Sequence, residues 1–152
     1  MPGTYSQIYI QLIFSVKGRQ NHISEEFKQD LQTYMGGIIQ GKYVELIAVY
    51  CMPEHTHIFI SLKPMIAISE LVREVKISST KFINEKQWLK GKFAWQEGFG
   101  VFSYSYSHIY NIVRYIEKQP AHHKTKKFKE EYTEFLHKFG LDYEERYLFD
   151  WI

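Results

Sequence analysis

The sequence predicts an α+β fold: an antiparallel sheet with helices packed on one face. Three observations carry that prediction. Apolar periodicity runs in the order strand, helix, strand, strand, helix, strands, helix, which suits a layered α+β domain. The second and third strand segments are joined only by Pro53-Glu54, too short for the helical crossover a parallel pair needs. The chain has 152 residues, a length that predicts one domain with a real core.

Each element has a local reason. Tyr5 to Val16 carries β-branched and aromatic weight, with Ile8, Tyr9, Ile10, Ile13 and Phe14, and Gly18 ends it. Ser24 with Glu25 and Glu26 reads as a helix start, and Phe27, Leu31, Tyr34, Met35, Ile38 and Ile39 follow at helical spacing. Gly41 is its C-cap candidate. Tyr43 to Met52 and His55 to Leu62 read as the second and third strands. After Pro64, residues Ile68, Leu71, Val72, Val75, Phe82 and Ile83 mark a second helix with Arg73, Lys76 and Lys81 as its cations. Phe93 to Tyr106 reads as strand, glycine-containing bend, strand. Ser107 is a cap candidate for a last core helix, on which Ile109, Ile112, Val113 and Ile116 form an apolar stripe. Pro120 lies just past its predicted end.

Composition excludes several classes. Hydrophobic residues make up 45%, so wholesale disorder is ruled out. A net charge of +2 permits a nucleic-acid partner without requiring one. A single cysteine, Cys51, excludes an internal disulfide framework and suits a reducing compartment. The N-terminal residues have neither the basic region nor the apolar stretch of a secretory signal. No run approaches the length of a membrane span, so a cytoplasmic protein without a membrane partner is expected.

Two spacings carry chemistry. His55-Thr56-His57 lies on a strand, so both imidazoles point to one face and can grip one metal ion. The plain alternative is two polar residues on a solvated strand. Tyr115 and Gln119 are i, i+4 on the last core helix, on one flank of its apolar stripe. There the plain alternative is a boundary tyrosine with its hydroxyl in water. Taken together, His55, His57 and the Gln119 carbonyl would make a three-ligand site for Mg²⁺ or Mn²⁺, with open positions for phosphate oxygens. A metal-bound phosphate beside Tyr115 is a nucleophilic phosphoryl-transfer site. Glu54 abuts the histidine pair and could orient it.

The run Met52-Pro53-Glu54-His55-Thr56-His57-Ile58-Phe59-Ile60 resembles the HUH motif of the single-tyrosine transposases. Arg114-Tyr115-Ile116-Glu117-Lys118-Gln119 resembles their catalytic helix. Thr56 departs from the bulkier apolar residue usual there. The resemblance runs from the first strand to about Lys129. It implies a ferredoxin-like domain, here residues 1–130, in which Tyr115 attacks a backbone phosphate of single-stranded DNA to form a 5′-phosphotyrosine. It further implies recognition of DNA hairpins, and a homodimer whose tyrosine helix faces the histidines of the partner in trans.

Other residues carry weaker expectations. His122 to Lys129 is the strongest basic run, whose plain alternative is a solvated helix start; its Lys124, Lys126 and Lys127, with Arg73, Lys76 and Lys81, are candidates for DNA contact. Tyr104 and Tyr106 read as packing or base-stacking residues. Residues 131–152 form a C-terminal extension, expected to be helical and docked on the body or on a partner chain. Two competing readings are a domesticated relative that processes chromosomal palindromes and a single-strand nucleic-acid binding module without chemistry.

Overall fold

The structure is a computed structural model, and it describes residues 2–18 and 22–151. Its centre is a four-stranded antiparallel sheet: β1 (Tyr9–Ser15), β2 (Glu45–Cys51), β3 (His55–Ser61) and β4 (Gly100–Tyr104), in spatial order β2-β3-β1-β4. Two helices, α1 (Lys28–Gln40) and α2 (Ile68–Lys86), cross between strands, which gives the βαββαβ order of a ferredoxin-like domain.

Register fixes what each face of the sheet carries. Leu12 pairs with Ile58, Ile10 with Ile60 and Phe14 with Thr56, so one face is apolar. Leu31, Met35 and Ile39 of α1 and Leu71, Val72 and Val75 of α2 are buried in the same core. Gly36 of α1 comes so close to Leu46 of β2 that a Cβ there would lie 2.9 Å from its Cδ2. Burial of each such aliphatic side chain stabilises the fold by about 1.5–3 kcal/mol.

The opposite face is polar along its middle. Ser15 pairs with His55, Ile13 with His57 and Gln11 with Phe59. This face is covered by the C-terminal part of the chain: α3 (Ile109–Glu117), α4 (Gln119–His122) and α5 (Phe128–Lys138). Phe128 of α5 stacks on the His55 ring, centroids 3.8 Å apart and 5° from parallel.

Three local details differ from the sequence expectation. The helix bearing Tyr115 ends at Glu117, and Gln119 opens the short α4. Pro120 explains the break, because it donates no backbone hydrogen bond and its ring crowds the preceding turn. Ser107 lies in a short 3₁₀ turn (Tyr106–His108), and His108 takes the cap position of α3. Between Phe93 and Phe99 the described residues form one isolated bridge, Val16 to Trp95, before β4 begins.

The C-terminal extension packs on the body. The boundary placed after residue 130 falls inside α5, which runs without interruption to Lys138. Beyond it, Phe149 is buried against Phe128 and Tyr132. The backbone of Asp150 is held from both sides by the Gln96 amide: Asp150 N donates to Oε1 at 2.6 Å, and Nε2 donates to Asp150 O at 2.9 Å.

Candidate active site

The polar face of the sheet sets out the site. His55 and His57 are both fully buried, side by side on β3, with ring centroids 5.0 Å apart. Each has its outer nitrogen occupied. His55 Nδ1 lies 2.7 Å from Glu54 Oε1, and His57 Nδ1 lies 2.7 Å from Gln11 Oε1. An oxygen acceptor on Nδ1 places the proton there and leaves the Nε2 lone pair facing inward, as in metal-ligating histidines.

What the two Nε2 atoms face is oxygen. His55 Nε2 is 3.1 Å from Gln119 Oε1 and 3.6 Å from Glu131 Oε1, and His57 Nε2 is 3.3 Å from the same Glu131 oxygen. Burial lowers the His55 pKa, outweighing the opposite pull of Glu54, so its neutral form is favoured. Lone pairs therefore converge from two imidazoles, an amide oxygen and a carboxylate. The ligand atoms of His55, His57 and Glu131 all lie within 4.8 Å of one another. Donors converging in this way are held together by protons on the imidazoles or by a bound cation. Mixed nitrogen and oxygen donors fit Mn²⁺ or Mg²⁺.

Tyr115 stands beside this group. Its ring centroid is 6.2 Å from that of His57, and its hydroxyl donates to Glu131 Oε2. Gln119 Nε2 donates to the same oxygen at 2.7 Å. His123 completes the rim, with Nε2 at 2.9 Å from Gln119 Oε1 and 3.2 Å from Glu131 Oε1.

The charges follow from this packing. Burial alone would raise the Glu131 pKa, but the surrounding histidines, His57 foremost, hold it well below the usual carboxylate range. Burial likewise opposes the low pKa of Glu54, and its bond to His55 prevails. His123 is raised by Glu131 against the effect of burial. The Tyr115 phenol is pushed well above its ordinary value, first by burial and then by the Glu131 charge.

The structure thus brings Tyr115, His55, His57 and Gln119 into one cluster within a single chain, with Glu54 behind His55. Glu131, His123, Gln11 and Phe128 belong to the same cluster; none is named from the sequence as a metal or catalytic residue, although His123 and Phe128 fall in the basic run. A signal for two of them exists. Glu131 falls among Phe128, Tyr132 and Leu136 on the buried face of α5, where a carboxylate needs a partner. His123 follows Gln119 at i+4.

The candidate cations lie outside this cluster. Lys76 Nζ donates to the carbonyls of Gln96 (2.8 Å) and Gly98 (2.6 Å), and burial pulls its pKa down to about 8. Arg73 and Lys76 line a hollow with Trp95 and Phe99. Lys81 lies 4.0 Å from Glu85, and Lys126 pairs with Glu134 at 2.6 Å. Lys124 and Lys127 are exposed. Tyr104 accepts from Gln11 Nε2 at 3.0 Å, with its pKa raised by burial to about 12, whereas Tyr106 is exposed.

Comparison with known proteins gives a consistent answer. A family model described as "Transposase IS200 like" matches residues 4–119. The ISDra2 transposase TnpA of Deinococcus radiodurans is 27% identical over 124 residues, which cover 77% of this chain and 87% of that protein. A crystal structure of a Deinococcus radiodurans protein described as a transposase superposes with a TM-score of 0.63 at 23% identity, covering 78% of this chain and 95% of the other. A REP-associated tyrosine transposase bound to a REP hairpin gives a TM-score of 0.60 at 21% identity, covering 81% and 73%. At these identities the two structures speak for the fold. The family match ends at Gln119, so α5 and Glu131 lie beyond it.

Proposed function

Because the chain belongs to the IS200-like transposases, we propose that it cleaves and rejoins single-stranded DNA by metal-dependent transesterification through Tyr115. The observation that carries this reading is the convergence of the Tyr115 hydroxyl, two inward-facing imidazole nitrogens and the oxygens of Gln119 and Glu131. His55 and His57 would hold Mg²⁺ or Mn²⁺, with Gln119 and Glu131 as oxygen donors. The bound cation would supply positive charge that offsets Glu131 and lowers the cost of a phenolate and of the transition state.

The chain's own residues do the rest. Tyr115 Oη attacks the phosphorus, the bond to the 3′ oxygen breaks, and a 5′-phosphotyrosine and a free 3′-hydroxyl result. Attack by a 3′-hydroxyl reverses the step and joins strands, so no nucleotide energy source is needed. Gln11 and Glu54 keep the imidazoles in the ligating tautomer. Phe128 excludes water from one face of His55.

The substrate we infer is single-stranded DNA with hairpin ends. The REP-associated relative, solved on a REP hairpin, supports that class. Arg73, Lys124 and Lys127 are candidate phosphate contacts, as is Lys81 beside its exposed 4.0 Å pair with Glu85, while Lys76 and Lys126 are held by closer partners within the chain. Among the described residues no helix is long and apolar enough to cross a membrane, and the inferred place of action is the cytoplasm. Within the single chain Tyr115 meets the chain's own histidines, and we infer a homodimer that joins two such sites, each working in cis.

The test is covalent capture. Hairpin oligonucleotides from the gene's own flanks, incubated with Mn²⁺ or Mg²⁺, should yield a protein–DNA adduct on a denaturing gel. The adduct should be absent in Tyr115→Phe and His57→Ala. Binding without an adduct across both flanks and both metals would favour a non-catalytic binding module.

A further inference from the structure

We propose that the cavity beside the metal centre binds one unpaired nucleotide of the DNA strand, with a base that carries an exocyclic amino group. The proposal rests on the function inferred above and adds a specificity site to it. The cavity measures about 640 Å³, within the size range of small-molecule sites, and lies between the β2–β3 turn, the start of α5 and the C-terminal segment.

Its position ties it to the chemistry. Two of its walls are Glu54 and His123. Glu54 holds His55 Nδ1 at 2.7 Å, and His123 touches both Gln119 and Glu131. An occupant would therefore border the side chains that hold His55, Gln119 and Glu131, and the Tyr115 hydroxyl lies on the far side of Glu131. A single strand running through the site would place there a nucleotide flanking the cleaved bond.

Its lining fits a nucleotide by parts. Val16, Met52, Pro53, Phe128 and Trp151 provide apolar surface, with Trp151 the half-exposed aromatic on which a base can stack. Lys127 is exposed and makes no ion pair among the described residues, so it is available to a phosphate. Glu54 brings a carboxylate to the same cavity. A carboxylate repels the sugar–phosphate backbone, which turns the base toward Glu54 and the phosphate toward Lys127. An ionised carboxylate only accepts, so it selects an amino group such as cytosine N4 or adenine N6 and disfavours the thymine O4 edge.

The wall bearing Trp151 is built in place. Gln96 clamps both the N–H and the carbonyl of Asp150, and Phe149 wedges between Phe128 and Tyr132. The C-terminal segment thus forms one side of a substrate site.

The experiment uses the full chain with Mn²⁺. The substrate is a hairpin oligonucleotide whose unpaired extension carries 2-aminopurine, moved one position at a time. With Tyr115→Phe, so that no cleavage occurs, fluorescence should be quenched strongly at one position next to the scissile phosphate. An abasic site or thymine at that position should weaken binding about tenfold relative to adenine or cytosine. In Tyr115→Phe/Trp151→Ala the quenching should fall and the thymine penalty shrink, and adding the surface change Lys127→Ala instead should weaken binding while keeping the preference. Equal quenching and equal affinity at every position overturn the pocket, even if the wild type forms adducts. Position-specific quenching with no wild-type adduct on any substrate keeps the pocket and removes the transposase chemistry.

Discussion

The hydroxyl of Tyr115 donates its hydrogen to the Glu131 carboxylate, and the other oxygen of that carboxylate lies 3.3 Å from His57 Nε2. One side chain on α5 thus links the proposed nucleophile to the proposed metal ligands. The position is expensive for a carboxylate, which is 2% exposed, unless positive charge compensates it. Glu131→Gln keeps the shape and removes that charge. Mn²⁺ affinity by calorimetry should fall at least tenfold while the near-UV circular dichroism stays unchanged. Undiminished affinity in a folded variant would exclude Glu131 as a donor.

Whether the site works in cis can be tested by mixing. Tyr115→Phe retains the metal donors and His57→Ala retains the nucleophile. Since Tyr115 packs on the histidines of its own chain, an equimolar mixture should form no more adduct than either variant alone. Recovery of adduct in the mixture would place the tyrosine of one chain in the site of another.

Much of this site was legible in the sequence because it rests on short periodicities. Alternation along a strand puts His55 and His57 on one face, and helical spacing puts Tyr115 near Gln119 even though Pro120 breaks the helix between them. Glu131 was not legible in that way. It follows Glu130 after a basic run and reads there as a solvated counter-charge, and its partners lie 16 residues away at Tyr115 and 74 away at His57. Gln11 is similar: nothing local distinguishes it, and only strand register brings it to His57 Nδ1. Long-range pairings of this kind follow from the assembled sheet and not from any one segment.

The position of α5 depends on a close approach at β4. A Cβ on Gly100 would sit 2.7 Å from Tyr132 Oη and 2.9 Å from its ring. Gly100→Ala should therefore destabilise the fold by roughly 1–3 kcal/mol in denaturant titration. It should also weaken Mn²⁺ binding, because Tyr132 adjoins Glu131 on the same helix. Tyr132→Phe in that background removes the nearest atom and should restore part of the stability. An unaltered unfolding midpoint in Gly100→Ala would show that α5 is not seated this tightly.

The buried thiol gives a pH signature. Burial pushes the Cys51 pKa from an ordinary 9.0 up to about 12. Above about pH 9 the unfolded chain releases this proton and the folded chain keeps it, so the folded state binds more protons and stability falls as pH rises toward 12. Below pH 9 both states are protonated and the effect vanishes. Cys51→Ala should flatten the decline measured by denaturant titration between pH 9 and 11. Equal slopes in the two proteins would mean that the thiol is accessible to solvent.

The most direct measurement is to find where the DNA is attached. The covalent adduct formed with Mn²⁺ would be digested with nuclease and protease and its modified peptide sequenced by mass spectrometry. The account requires a 5′-linked nucleotide on Tyr115, with an equimolar free 3′-hydroxyl on the released strand. Attachment to Tyr104, Tyr106 or Tyr110, or strand cleavage with no protein-linked product, would contradict it.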